Sequence, residues 1–271
     1  MLTARELRDI YDDQVRTAIE TRPAEGVTCS WDGPVLRCTG LHRGFVGYRD
    51  LGGLRGAELD ALIARTCAYF ADLGTSFEWK SHAHDEPADL PDRLAAAGFV
   101  AEETETVVIG EVDAIAAERV LPAGVRIVPV TDAADLERIA VTKSAVFGED
   151  WSWLVDDLGG RLRADPESIT VLMAEAGTEV ISSAWIVFNP DGVFAGLWGG
   201  STAEAWRGRG IYRALVARRA QLAAERGYRY LQVDALETSR PILERLGFVA
   251  VTRTTPYIWT PPALRSADAD R

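Results

Sequence analysis

The stretch that most constrains this chain is a glycine-rich turn between a strand-like run and a long helical pattern. It reads Arg207-Gly208-Arg209-Gly210-Ile211-Tyr212. The two glycines allow a tight backbone turn and close approach to a ligand. The first turn of the helix that follows presents unpaired N–H groups, and the helix dipole favours negative charge there. We therefore expect a phosphate-bearing ligand at this turn, with an ordinary turn and no ligand as the alternative.

Three strand-like runs precede the turn, and short segments rich in Gly, Pro, Asn and Asp join them. The runs are Ile169 to Glu175, Val180 to Phe188 and Val193 to Thr202. This pattern is typical of an antiparallel meander. Gly199 and Gly200 interrupt the third run, and glycine inside a strand indicates a bulge or a close backbone approach.

The turn resembles motif A of the GNAT superfamily of N-acetyltransferases, which runs Arg/Gln-x-x-Gly-x-Gly/Ala. Arg207 and Gly210 match it, and Tyr212 replaces the final small residue. The neighbouring segments resemble the family in order: a fourth strand (193–202), a fifth strand (228–234), a short helix ending in Gly247-Phe248, and two last strands (249–259). The resemblance covers roughly Ala123 to Pro262 and implies acetyl-coenzyme A as the acyl donor, with no metal.

By this resemblance, the strands part beyond the bulge, and the pantetheine arm enters the gap and pairs with strand backbone. The donor-binding residues would be Gly200, Ser201 and Thr202 along the strand, Arg207, Gly208, Arg209, Gly210, Ile211 and Tyr212 at the pyrophosphate, and Ser239 beside the arm. The expected reaction is direct attack of a neutral amine on the thioester, which needs positioning, proton removal and oxyanion stabilisation.

Two positions that are often catalytic in the family are missing. The fourth strand, Val193 to Ala203, contains no Asp or Glu to act as base, and Leu243 stands where a tyrosine often protonates the leaving thiolate. Asp234 is our first candidate for the base and Glu204 the second, although either could cap a turn, and a water chain is a further alternative. Tyr212 is expected to lie too close to the pyrophosphate to act as the acid, and Tyr257 is a remote alternative.

The acceptor side of the site is expected around four residues. Glu149, Asp150 and Trp151 lie where the family has its substrate-facing loop, and Trp198 lies on the fourth strand. Aromatic rings beside carboxylates suit an amine or ammonium ligand. A buried aromatic cluster without a ligand explains the same residues equally well.

The first half of the chain contains a degenerate copy of the second half. Leu94-Ala-Ala-Ala-Gly-Phe-Val-Ala101 parallels Leu243-Glu-Arg-Leu-Gly-Phe-Val-Ala250, and the glycine-rich turn has no counterpart. We therefore expect a degenerate domain (1–118), an acetyltransferase domain (123–262) and a polar tail (263–271). The first domain could cover the substrate site, form a homodimer, or stabilise the second.

The fold class follows from the same resemblance. It is α+β, with two GNAT-like domains, each a mixed, mostly antiparallel twisted sheet flanked by helices, and with a splayed fourth and fifth strand pair in the C-terminal domain.

Charge and cysteine content limit the partners and the compartment. Residues 1–118 carry a formal charge of −11 and residues 119–271 a charge of −1, which disfavours a nucleic-acid partner. Arg218, Arg219 and Arg226 are interpreted as a solvated helix face. Three cysteines, an odd number without metal-type spacing, favour thiols in a cytoplasmic protein, and no apolar run suits a membrane span.

One histidine cluster, His82-Ala83-His84-Asp85, would suit zinc if both imidazoles shared a strand face, although a polar loop is the simpler interpretation. The leading functional hypothesis is an acetyl-coenzyme A-dependent N-acetyltransferase acting on a small amine or a peptide N-terminus. The alternative is an acyl-coenzyme A-binding regulatory module without turnover. A structural partner that docks another protein through its first half is a third hypothesis.

Overall fold

A computed structural model describes residues 2–20, 23–24, 26–190 and 192–264. The chain forms two compact units. The first contains the described residues up to Val107 together with Asp234–Glu237 and those from Val251 onward. The second contains Val108–Val233 and Thr238–Ala250. Asp191, in a predicted turn, and most of the predicted tail, residues 265–271, lie outside the described residues.

The first unit has a sheet in the order β1-β2-β3-β4-β12, with β5 paired to β12. All of these pairs are antiparallel except β3–β4. Its elements are α1 Ala4–Gln14, β1 Thr28–Asp32, β2 Val35–Thr39, β3 Gly44–Gly47, α2 Gly56–Asp72, β4 Phe77–His82, α3 Leu90–Ala96, β5 Val100–Ala101, β6 Glu105–Glu111, which continues into the second unit, and β12 Val249–Trp259. A core that includes Phe70, Phe77 and Trp79 packs α2 on this sheet.

The second unit has a sheet in the order β7-β8-β9-β10-β11. Its elements are α4 Val112–Ile115, β7 Val125–Pro129, α5 Ala133–Phe147, α6 Trp153–Ala164, β8 Ile169–Ala176, β9 Glu179–Phe188, β10 Phe194–Thr202, α7 Ile211–Glu225, β11 Tyr230–Ala235 and α8 Arg240–Arg245. The strands β8, β9 and β10 form the predicted antiparallel meander, and β10 pairs with β11 in parallel.

Alternating residues on β8 place helices on both faces of the second sheet. Val171 and Met173 pack with Leu136 of α5 and Leu154 of α6. The alternate residues Leu172 and Ala174 pack with Leu215 of α7. Because successive strand residues point to opposite faces, α5 and α6 cover one face and α7 covers the other.

The predicted repeat is visible in matched backbone geometry. The N–H of Phe99 donates to the carbonyl of Leu94, and the N–H of Phe248 donates to that of Leu243, both at 3.1 Å. In each copy the intervening glycine has a positive φ and the phenylalanine is buried. Each half therefore ends a short helix with the same glycine-closed turn.

The last strand corrects two predictions. The segment 249–259 is one continuous strand, β12, and not two, since no turn interrupts it. Residues 254–259 of β12 pair antiparallel with β4, from Thr254 opposite His82 to Trp259 opposite Phe77. The compact units therefore differ from the expected domains 1–118 and 123–262, because the end of the second segment completes the sheet of the first unit.

A disulfide corrects the prediction of three thiols. Cys29 and Cys38 face each other in the β1–β2 register and are bonded to each other, while Cys67 lies on the buried face of α2. Strand pairing brings the two sulfur atoms together, and the spacing of the cysteines along the sequence did not reveal this disulfide. The thiol argument for a cytoplasmic location therefore does not hold.

Candidate functional site

The glycine-rich turn has the backbone expected of an anion site. Gly208 and Gly210 have φ values of 75° and 85°, the left-handed region that disfavours other residues. Gly210 is the N-cap of α7, and no side chain caps the helix. The first-turn amides of this 15-residue helix therefore remain available to an anionic ligand.

The arginines of the turn have distinct roles. Arg207 folds back and its Nε donates to the carbonyl of Thr202 at 3.1 Å, which ties the turn to the end of β10. The guanidinium of Arg209 lies 4.8 Å from the centre of the Trp206 ring. Both side chains are exposed, so the turn has a positive outer surface.

The predicted bulge lies on β10. The β9–β10 register pairs Trp198 with Trp185 and Ser201 with Ser183, and it omits Gly199 and Gly200. The parallel register between β10 and β11 covers only Phe194 to Gly196. Beyond Gly196, β10 therefore runs six residues further without a β11 partner among the registered pairs, as expected for a splayed strand pair.

Neighbouring aromatic rings explain why the bulge contains two glycines. A Cβ on Gly199 would overlap the ring of Trp185, and Gly199 also has a positive φ of 62°. A Cβ on Gly200 would lie 2.8 Å from the ring of Tyr212. Gly199 is therefore required by both space and backbone angle, and a side chain at position 200 would displace the Tyr212 ring.

Two buried cations hold the carbonyl groups around the bulge. From α5, Lys143 Nζ donates to the carbonyl of Gly199 at 2.7 Å. From α7, Arg219 Nη1 donates to the carbonyls of Trp185 and Trp198 at 3.1 Å and 3.3 Å. The exposed fractions of Lys143 and Arg219 are 0% and 2%. A cation from each face of the sheet therefore fixes the irregular backbone.

Burial shifts the proton affinity of both cations. Burial, with a smaller effect from the charge of Arg219, lowers the pKa of Lys143 to about 7. Burial also lowers the pKa of Arg219 to about 10. No carboxylate within the described part of the chain forms an ion pair with either residue. The bulge therefore lies in a region of uncompensated positive charge.

The interpretation of Arg219 as a solvated residue is wrong, and Lys143 was not identified from the sequence. Lys143 follows buried Leu136 and Ile139 at helical spacing, and Arg219 follows buried Ile211 and Leu215. This spacing was the available signal. A charged side chain on a helix is normally interpreted as exposed to solvent. Here the irregular strand β10 beside these positions explains why the two cations are buried.

The acceptor-side residues are only partly brought together. The ring of Trp151 lies 4.8 Å from Lys143 Nζ and 5.2 Å from the rings of Phe147 and Trp153. Asp150 accepts hydrogen bonds from the backbone N–H and hydroxyl of Ser152, both at 2.9 Å. Glu149 is exposed, as is Trp198 on β10.

The two candidate bases lie in different surroundings. Asp234 belongs to the first unit, and its Oδ2 lies 2.5 Å from the Nζ of Lys80. Glu204 is exposed at the start of a 3₁₀ turn, Glu204–Trp206, and its backbone carbonyl accepts the N–H of Arg207. Ser239 is the N-cap of α8 and shares a hydrogen bond with the hydroxyl of Tyr212.

The position of Tyr212 differs from expectation. Its backbone belongs to the turn, but its ring lies against Gly200 in the bulge and its hydroxyl contacts Ser239. Burial raises the pKa of this hydroxyl. The side chain therefore extends from the turn toward the bulge and toward the start of α8.

The two histidines of the cluster form hydrogen bonds within the first unit. His82 ends β4, and its Nε2 lies 3.1 Å from the hydroxyl of Tyr11. His84 lies beyond the strand, with Asp12 and Thr252 each at 2.8 Å from its ring nitrogens. Across residues 2–20, 23–24, 26–190 and 192–264, no group of three or more potential ligands is placed to hold a metal.

Comparisons with known proteins agree on the fold. Residues 130–248 match the family model described as the acetyltransferase (GNAT) family. The chain is similar to a GCN5-related N-acetyltransferase from Kribbella flavida, with 15% identity over 98% of this chain and 99% of that chain and a TM-score of 0.68. A tandem GNAT protein from the clavulanic acid biosynthesis pathway gives 14% identity, coverage of 95% and 96%, and a TM-score of 0.59. At these identities the likeness shows the fold.

The comparison with curated protein sequences finds no significant match. Among the described helices, none combines the length and the apolar character that crossing a membrane requires.

Proposed function

We propose that the chain is an acetyl-coenzyme A-dependent N-acetyltransferase acting on an amine, because residues 130–248 match the acetyltransferase (GNAT) family model and the chain is similar in fold to a tandem GNAT protein. One observation carries this proposal. An uncapped helix N-terminus at Gly210 follows, after a short turn, a strand that has no registered β11 partner beyond Gly196.

The residues present suit the donor. The amides from Arg207 to Tyr212 would hold the pyrophosphate, since α7 has no side-chain cap to compete for them. The backbone of Gly200, Ser201 and Thr202 would pair with the pantetheine arm along the edge that β11 leaves open. Ser239 would border the arm, since it already contacts Tyr212.

The reaction we propose transfers the acetyl group directly. The lone pair of a neutral amine attacks the thioester carbonyl carbon, a C–N bond forms, and the carbonyl π electrons move to oxygen. When the oxyanion collapses, the C–S bond breaks and the thiolate leaves. The amine nitrogen gives up one proton and the thiolate takes up one proton, so the products are an amide and free coenzyme A.

Tyr212 is the proton donor we propose for the thiolate. Its ring packs on Gly200 and its hydroxyl contacts Ser239, so the O–H is held near the splayed end of β10. Burial keeps the hydroxyl protonated, because it raises the pKa. Leu243, at the usual tyrosine position, has an apolar side chain and is fully buried.

Two carboxylates and a water chain are the candidates for the proton acceptor. Asp234 and Glu204 remain the candidates from the sequence, but an ion pair with Lys80 engages Asp234, and Glu204 is exposed. Proton transfer to solvent through a water chain is the alternative that requires neither carboxylate.

On the acceptor side, we propose that Trp151 and Trp198 contact the substrate, with Glu149 and Asp150 at the outer margin. The exposed face of Trp198 and the Trp151 ring supply apolar surface. The buried charge of Lys143 beside Trp151 disfavours a second cation at that ring, so the acceptor amine should enter neutral.

The test is calorimetric titration of the full chain with acetyl-coenzyme A, followed by a transfer assay over a broad amine panel. Gly210→Leu should abolish binding, because it distorts the turn that holds the pyrophosphate. The matched control is Gly177→Leu, which imposes the same positive-φ strain at φ 63° in the β8–β9 turn. Absence of wild-type binding at millimolar ligand would exclude the proposal. Binding without transfer would favour the regulatory module, which the missing strand carboxylate supports.

A further inference from the structure

We propose that Lys143 is a positioning residue for acyl transfer: its ammonium group polarises the Gly199–Gly200 peptide, so that the Gly200 N–H stabilises the oxyanion. The inference rests on the function proposed above. It assigns a role to a residue that has no counterpart in the motif at the glycine-rich turn.

One peptide group connects Lys143 to the Gly200 N–H. Lys143 Nζ lies 2.7 Å from the carbonyl oxygen of Gly199. That carbonyl and the Gly200 N–H belong to one planar trans peptide and point in opposite directions. A charged donor on the oxygen increases the polarity of the N–H, since linked hydrogen bonds strengthen one another in a region of low dielectric.

The Gly200 N–H lies in a part of the strand that the sheet ladders omit. The register with β9 passes from Trp198 to Ser201 without Gly199 or Gly200, and the register with β11 ends at Gly196. Under the proposal, this N–H is the donor to a ligand that enters between the splayed strands.

The surroundings of Lys143 supply aromatic rings but, among the described residues, no carboxylate partner. The rings of Phe147, Trp151 and Trp185, contributed by α5, the loop after it and β9, lie 5.3 Å, 4.8 Å and 5.2 Å from Nζ. From the opposite face of the sheet, Arg219 on α7 adds a second positive charge. No described carboxylate pairs with Lys143, and burial of an unpaired charge reduces stability. Stabilisation of developing negative charge gives a reason for keeping an unpaired cation here.

The direct test is the infrared carbonyl stretch of acetyl-coenzyme A, labelled with ¹³C at the thioester carbonyl and bound to the full chain at pH 6, where Lys143 with its pKa of about 7 is mainly protonated. The wild-type protein should shift this band to lower wavenumber. Lys143→Met and Lys143→Gln should each lose at least half of the shift, with the Kd for acetyl-coenzyme A changed less than about threefold. Lys143→Gln keeps a hydrogen-bond donor without the charge, and it serves if the Met variant does not fold.

The matched control is Thr142→Val. Thr142 is adjacent on α5, and its hydroxyl also donates to a sheet carbonyl, that of Val180 at 3.1 Å, away from the bulge. This variant should keep the full band shift. Lys143→Arg, which retains the charge, should recover part of it.

Kinetics give a second readout. Lys143→Gln should lower kcat about tenfold with little change in the KM for acetyl-coenzyme A, since the effect arises in the transition state. An unchanged band position and kcat in a folded, donor-binding Lys143→Gln variant would overturn this inference and leave the proposed function standing. Failure of the wild-type protein to bind the donor would overturn both.

Discussion

The ammonium group of Lys80 lies 2.5 Å from the carboxylate of Asp234, a residue 154 positions further along the chain. Glu105 lies 3.6 Å from the same ammonium group. The exposed fractions of the Lys80 and Asp234 side chains are 14% and 6%. The residue that the sequence ranked first as a base therefore belongs to a largely buried ion pair of the first unit.

Removal of one partner of this pair should destabilise the fold. Asp234→Asn should lower the free energy of unfolding by about 3 kcal/mol, because Lys80 then loses its closest carboxylate and keeps the weaker attraction of Glu78 and of Glu105, which lies 3.6 Å away. Denaturant unfolding would measure it. Glu102→Gln, which breaks an exposed pair with Arg43, should cost less than about 1 kcal/mol. Unchanged stability with a large loss of kcat in Asp234→Asn would instead support a catalytic base.

Replacement of Tyr212 by Phe should separate donor binding from chemistry. The variant keeps the ring against Gly200 but lacks the hydroxyl that contacts Ser239. We expect kcat to fall by about 10²-fold, with the Kd for acetyl-coenzyme A within about threefold of the wild-type value. Tyr228→Phe is the control, since its hydroxyl donates to the carbonyl of Asn189. Equal kcat for both variants would contradict the role proposed for Tyr212.

The stability of the fold should depend on pH through Lys143. Burial lowers its pKa to about 7 in the folded state, against roughly 10.4 in an unfolded chain. Between these values the unfolded chain binds more protons, so the contribution of Lys143 to stability rises with pH. Lys143→Met removes the cost of burying this charge, so its free energy of unfolding should exceed that of the wild type by the most near pH 6. This difference should decrease by on the order of 2 kcal/mol by pH 9. A constant difference across this range, measured by denaturant titration, would show that the pKa is not lowered.

The disulfide between Cys29 and Cys38 should stabilise the first unit. It closes a short loop, with a sequence separation of 9, and its loss should lower the free energy of unfolding by about 2–3 kcal/mol. The measurement compares denaturant unfolding with and without a reductant. In the Cys29→Ser, Cys38→Ser double variant, reductant should have no further effect. A wild-type protein that is insensitive to reductant would contradict the prediction.

The sequence determined those features that depend on local backbone chemistry. Gly208, Gly210 and the helix after them specify the turn, because glycine alone adopts its backbone angles easily and a helix start leaves its amides unpaired. The bulge followed from Gly199 and Gly200, and the meander from turn residues between apolar runs. Together these predicted the fold class, which the family match and the structural neighbours confirm.

Only the tertiary structure decided the features that depend on contacts between distant segments. Strand pairing chose β4 as the partner of β12 and joined Cys29 to Cys38. The bulge left carbonyl groups that required donors from both faces of the sheet, and Lys143 and Arg219 are buried for that reason. A charged side chain on a helix normally indicates solvent, so the sequence predicted the opposite for Arg219. Its environment is set by a strand irregularity that helix periodicity does not report.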